Sequence, residues 1–244
     1  MPCTRNPSHY QSLALRLSDR WQRQLIQRFF WRCPALPVRL DFYRQHLSPR
    51  HLDICPGNGF YPKHCMTVRQ LSLLDPDPLR LQLARRSIGP ARINQLIEHD
   101  LRQPFPAALY HRFESVSLFD VLHQFPTAHE DVIRLLTDIS RLLTPHGGIC
   151  GTLVSPDPAD HRFAGRWLLN KQKRGGRFSP YCPTALQLAD HLKGVFQQVS
   201  LTRCGGVILF SAACPWGGKP SDHSSSASSR RCWADRFVLC PKIM

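Results

Sequence analysis

"HLDICPGNG", residues 51–59, decides how the rest of the chain is read. A short apolar run ends at an acid, Asp53, and two glycines follow, Gly57 and Gly59, with Cys55 and Pro56 ahead of them. Glycine removes the Cβ that would hold a ligand off the backbone and opens turn geometries closed to other residues. Proline stiffens the same turn by fixing φ and withdrawing a donor. A strand running into such a loop is what the first strand of an open parallel sheet offers at its carboxyl end, where ligands bind. Two readings stand side by side: a nucleotide-type ligand lying on bare backbone, or a tight strand-to-helix turn. A dinucleotide fingerprint needs a third small residue three positions after the second glycine. This sequence has Pro62 there.

Outward from that loop, strand-like runs are expected at 51–55, 70–74, 92–98, 115–119 and 149–154. Helical patterns fall between them, near 79–88 and over 129–143. This alternation predicts a parallel sheet covered on both faces. Helices at 160–170 and 184–192 follow, then strands at 196–204 and 206–213 joined through Gly205-Gly206, a connection only an antiparallel hairpin accommodates. Ahead of the first strand, Leu13, Leu17, Trp21, Leu25 and Phe29 recur every four residues, which predicts an amphipathic helix over 9–31. "CPALP" stops it, and "VRLDFYRQHL" predicts a second short helix. The organisation is therefore a helical cap over 1–48 and an α/β domain over 49–213. Residues 214–244, rich in Ser, Gly and Pro and without apolar periodicity, predict a disordered tail.

Two further acids fall at strand ends. Asp75 closes "LSLLD", and Asp100 follows the third strand in "LIEHDL". An acid ending the second strand of a nucleotide-binding sheet can accept hydrogen bonds from ribose hydroxyls. Each acid alone also reads as a turn or helix-cap residue. Three at the ends of three successive strands, the first leading into a glycine loop, favour the ligand reading.

With "WRCP", "HLDICPGNGFYPKHC", "LLDPDPLRLQLARR", "FESVSLFDVLHQFP", "LLTPHGGICGT" and "GGRFS" in view, the sequence over about 20–212 resembles the class I S-adenosylmethionine-dependent methyltransferases. Within them it is similar to the YbcY-type bacterial proteins. The resemblance implies a Rossmann-like, seven-stranded, mostly parallel sheet with an antiparallel C-terminal hairpin, and S-adenosylmethionine as cofactor. It implies that Asp53, Gly57 and Gly59 lie against the methionine part, that Asp75 holds the ribose hydroxyls and that Asp100 meets the adenine. Phe119 and Asp120 would border the cofactor near the acceptor. Cys55 stands where that family usually has its first glycine.

Methyl transfer asks the protein mainly to align a nucleophile and exclude water. A general base helps when the acceptor is a hydroxyl. His123, just beyond the fourth strand, is the candidate, with packing or capping as the alternative role. Trp167 and Phe178 are candidate apolar walls of the acceptor mouth, and Gly175-Gly176 a candidate hinge. No histidine or cysteine spacing suggests a metal site.

The bulk properties narrow the partners. A net charge of +15 raises a polyanionic partner, and the first fifty residues hold nine arginines against Asp19 and Asp41. No nucleic-acid-binding motif accompanies that charge. The ten cysteines include no C-x-x-C pair, which leaves zinc and thioredoxin-like chemistry without support. No stretch approaches the roughly 18 apolar residues of a membrane span. A cytoplasmic protein with a small-molecule methyl acceptor and no membrane partner is expected. An RNA or protein methyltransferase, or a non-catalytic cofactor-binding remnant, are the alternatives.

Overall fold

Runs of Leu, Val, Ile and Phe buried on both sides make the central strands of this chain, and an acid and a hydroxyl cap the starts of two of its helices. The computed structural model describes residues 26–33, 35–65, 67–125, 127–176 and 178–216. The helix expected over 9–31 falls there only in its last turns, and residues 217–244 of the expected tail lie outside the described residues. Among the described residues the strands are β1 (Arg50–Ile54), β2 (Gln70–Asp75), β3 (Ile93–Glu98), β4 (Phe113–Phe119), β5 (Leu143–Val154), β6 (Phe196–Cys204) and β7 (Val207–Pro215). They form one sheet in the order β3-β2-β1-β4-β5-β7-β6. β1 to β5 are mutually parallel, and β7 runs antiparallel to both β5 and β6. The order reverses between β1 and β4, which opens a crevice beyond their carboxyl ends.

Alternation along the strands sends different chemistry to the two faces. Leu52, Ile54, Val116, Leu118, Ile149 and Phe210 join one core with α4 (His129–Leu142) and α6 (Ala185–Val195). On the other face Leu71 and Leu73 pack against α3 (Pro78–Ile88). Phe119, Cys150, Val154 and Leu209 meet Trp31, α1 (Leu40–Gln45) and α5 (Phe163–Arg174) there. This second face also buries His51, Asp53, Ser115, Ser117 and Thr152.

Local chemistry sets the helix starts. Asp77 caps α3 by accepting from the Leu79 N–H at 2.9 Å, with Pro78 in the first turn. Thr184 and Gln187 bond reciprocally at the start of α6. The fifth helix begins at Phe163, later than the expected 160, because Asp157 caps a separate 3₁₀ turn over Pro158–Asp160. A single helical turn unseen in the sequence, α2 (Phe60–Lys63), follows Gly59. β7 runs to Pro215, and the backbone N–H of Trp216 donates to the Val195 carbonyl at 2.9 Å, so ordered contacts pass the expected boundary at 213.

Candidate active site

β1 delivers Asp53 to the crevice almost fully buried. The Tyr43 hydroxyl, from α1, donates to Asp53 Oδ2 at 3.0 Å. Beneath it, His51 Nδ1 lies 2.8 Å from Ser115 Oγ, and its Nε2 lies 3.0 Å from Ser117 Oγ and 3.2 Å from the Tyr43 hydroxyl. Burial pushes the Asp53 carboxyl up to about 7, against hydrogen bonds from Ser117 and Tyr43 that pull it down. The same burial lowers His51 to about 3, so the imidazole stays neutral. The floor of the site is thus an uncharged polar network with one poised acid.

The loop after β1 turns through left-handed backbone at Cys55 (φ 54), Gly57 (φ 61) and Gly59 (φ 73). At Gly59 the absent side chain serves packing as well: a Cβ there would sit 2.8 and 2.9 Å from Ile88 atoms of α3. Asn58 Oδ1, between the glycines, is buried without a partner among the described residues.

Asp75 ends the neighbouring strand. Asp53 pairs in register with Leu73, so Asp75 stands two residues further along on the same sheet face, roughly 6.6 Å on at strand rise. Its Oδ1 accepts from the Asp77 N–H at 2.9 Å, while Oδ2 is buried with no partner among the described residues. Burial raises this carboxyl, with the Asp77 N–H and Arg80 opposing. Asp100 is different in kind. It is exposed, and its Oδ1 accepts from the Arg102 N–H at 3.0 Å in the turn after β3. The structure therefore brings Asp53 and Asp75 to adjacent buried strand ends and leaves Asp100 on a loop two residues past β3.

At the end of β4, Asp120 adopts φ 61 and accepts from Arg39 Nη2 at 2.6 Å and from Thr152 Oγ1 at 3.0 Å. Burial alone would raise the Asp120 carboxyl, but Arg39, His123 and these hydrogen bonds outweigh it and hold it below the ordinary carboxylate value. The buried Arg39 guanidinium also lies 5.6 Å from the Tyr61 ring centroid and 5.9 Å from that of Phe119. Phe119 packs on Tyr61 at 4.5 Å and Tyr43 at 5.1 Å. Arg39, Tyr43 and Tyr61 are the site-wall residues that sequence reasoning missed. The available signal was the i, i+4 spacing of Arg39 and Tyr43 in "VRLDFYRQ", hidden when the N-terminal arginines were read only as charge.

His123 lies just beyond β4, buried, with its ring 4.8 Å from Phe178 and Nδ1 without a partner among the described residues. Burial lowers it to about 4, with Asp120 opposing, so it is neutral at pH 7. Phe178 is buried beside it, whereas Trp167 stands on the outer side of α5, 53% exposed. The two do not form the paired wall expected. Gly176 takes φ 62 in the turn between α5 and Phe178.

Five parallel strands, an antiparallel closing pair and buried acids ending the first two strands form a Rossmann-like sheet built for a nucleotide-type cofactor. Comparison with known proteins makes this specific. A family profile described as a methyltransferase domain matches residues 52–150. The Escherichia coli (strain K12) protein YbcY is 31% identical over 186 residues, covering 76% of this chain and 96% of its own. An O-methyltransferase of the physcion biosynthesis cluster of Aspergillus chevalieri is 25% identical, covering 88% and 97%. The N-methyltransferase NodS of Bradyrhizobium japonicum, solved with S-adenosyl-L-homocysteine, superposes with a TM-score of 0.55 at 16% identity, over 81% of this chain and 97% of that one. The chain belongs to the S-adenosylmethionine-dependent methyltransferases. Its cofactor is S-adenosylmethionine, and the residues present fit it: Asp75 Oδ2 and Asn58 Oδ1 are buried acceptors that no described residue satisfies.

Proposed function

We propose that the protein methylates a small-molecule acceptor, with a hydroxyl as the preferred nucleophile. The observation that carries the cofactor half is the buried Asp75 Oδ2, which has no partner among the described residues. An unsatisfied buried acceptor costs free energy that a ligand hydroxyl recovers. When bound, S-adenosylmethionine supplies a methyl group already activated on a sulfonium. In this reading Asp75 holds the ribose hydroxyls, Asp53, Gly57 and Gly59 lie along the methionine part, and Asp100 meets the adenine at the rim. Phe119 and Asp120 border the acceptor side.

The chain's own work is placement and dryness. Tyr43 and Ser117 orient Asp53 by hydrogen bonds, and Arg39 with Thr152 fixes Asp120. Phe119, Tyr61 and Phe178 exclude water from the acceptor mouth. His123 is neutral, so the Nδ1 or Nε2 lone pair can receive the hydroxyl proton as the nucleophile attacks. A base held near 4 is weak, which suits an acidic hydroxyl such as a phenol better than an alkyl alcohol. The O-methyltransferase name of the Aspergillus relative supports an oxygen nucleophile.

Calorimetry with S-adenosyl-L-homocysteine and turnover on a phenol panel test the reading. Asp75→Asn is expected to weaken cofactor-product binding by roughly 10- to 100-fold, the 1.5–3 kcal/mol of a charge-assisted bond. His123→Ala is expected to lower turnover and leave that binding unchanged. Absence of binding by the parent at millimolar ligand would overturn the proposal. Tight binding with no turnover on any hydroxyl or amine would point instead to a non-catalytic cofactor-binding protein.

A further inference from the structure

Helix α5 presents a line of side chains that the site does not use. Phe163 is 87% exposed and Trp167 53%, one turn apart. They stand on the side opposite Gly165, Leu168 and Leu169, which are buried. The line continues through Asn170, Lys171 and Arg174, which with Trp167 rim an open hollow of about 290 Å³. Lys171 Nζ lies 5.0 Å from the Trp167 ring centroid. Arg162, Arg166 and Lys173 are exposed beside them, and no acidic residue occurs between 161 and 178.

An anionic surface that also accepts apolar side chains suits this face: two exposed aromatic rings stand on one side of a helix among basic side chains, and no acid interrupts them between 161 and 178.

We propose that this face docks the protein on an anionic phospholipid surface. Phe163 and Trp167 enter the boundary between headgroups and acyl chains, and Arg162, Arg166, Lys171 and Arg174 meet headgroup phosphates. A single-stranded nucleic acid shares the phosphates. It is gripped by successive aromatic rings set in a positive groove, whereas here Phe163 stands 87% exposed on the outer side of α5, outside the hollow that Trp167 rims. The expectation of no membrane partner rested on the absence of a span. No described helix is long and apolar enough to cross a bilayer, and a surface contact requires none.

Sedimentation of the full chain with phosphatidylcholine vesicles, with and without phosphatidylglycerol, tests this. Binding is expected only to the phosphatidylglycerol vesicles and is expected to weaken as salt rises. Lys171→Ala with Arg174→Ala is expected to weaken it roughly 30-fold, at about 1 kcal/mol per basic residue near an anionic surface. Phe163→Ser with Trp167→Ala, which leaves the charge untouched, is expected to lose it as well. Arg85→Ala with Arg86→Ala, exposed on α3, is the charge-matched control and is expected to stay within twofold of the parent. These positions are exposed, so an unchanged melting transition separates lost docking from lost fold. No binding to phosphatidylglycerol vesicles, or equal losses from both basic pairs, overturns the proposal. So does binding of a single-stranded oligonucleotide that depends on Trp167 while vesicles are ignored.

Discussion

Asp53 shows how a single residue carries a conflict between stability and binding. Its carboxyl is raised to about 7 in the fold from 3.8, mainly by burial. The folded state therefore holds a proton that the unfolded chain has released between those two values, and Asp53 costs stability progressively as pH rises from about 4 to 7. Asp53→Asn removes that dependence. In denaturant titrations across pH, the stability of Asp53→Asn relative to the parent is expected to grow from pH 4 to 7 and then level off, while binding of S-adenosyl-L-homocysteine weakens. A constant difference across that range would show that Asp53 ionises as it does in water. His51 and His123 act with the opposite sign. Both are lowered by burial, to about 3 and about 4. The stability each contributes is full above its ordinary value of 6.5 and is lost as pH falls through the folded value.

Among elements, the loop between β1 and α2 joins ligand space to packing. Gly59→Ala forces a side chain into φ 73 and against Ile88. It is expected to destabilise the protein by about 1–3 kcal/mol, seen as a lower denaturation midpoint at unchanged slope. The existence and order of strands and helices were legible because periodicity reports burial directly: β4 is buried at every position but Glu114, and α4 buries Val132, Leu135, Leu136, Ile139 and Leu142 at helical spacing. The acids at 53 and 75 were legible for a related reason, since a carboxylate ending an apolar strand is costly unless something needs it. Asp100 read the same way in one dimension. Only the three-dimensional turn shows that it is exposed and bonded locally to Arg102. Arg39 and Tyr43 were hidden because their partners, Asp120 and Asp53, lie across a tertiary contact that no local pattern encodes.

For the whole molecule, burial is uneven, and so should be its opening. Central strands β1, β4 and β5 are expected to exchange their amide hydrogens slowest, and α5, with only Gly165, Leu168 and Leu169 buried, is expected to exchange well before α4. Adding S-adenosyl-L-homocysteine is expected to slow exchange over 55–59 and 75–77 with little change in β6. Protection confined to other regions would move the ligand site. The Trp31 carbonyl accepts from the Gly206 N–H at 2.7 Å, and a Cβ on Gly205 would strike the carbonyls of Trp31 and Arg32. The segment that carries Arg39 and Tyr43 toward the crevice is thus latched by the turn of the β6–β7 hairpin. Because this latch joins residues about 170 positions apart in the sequence, the wall of the crevice is expected to set late in refolding, after β6 and β7 have paired.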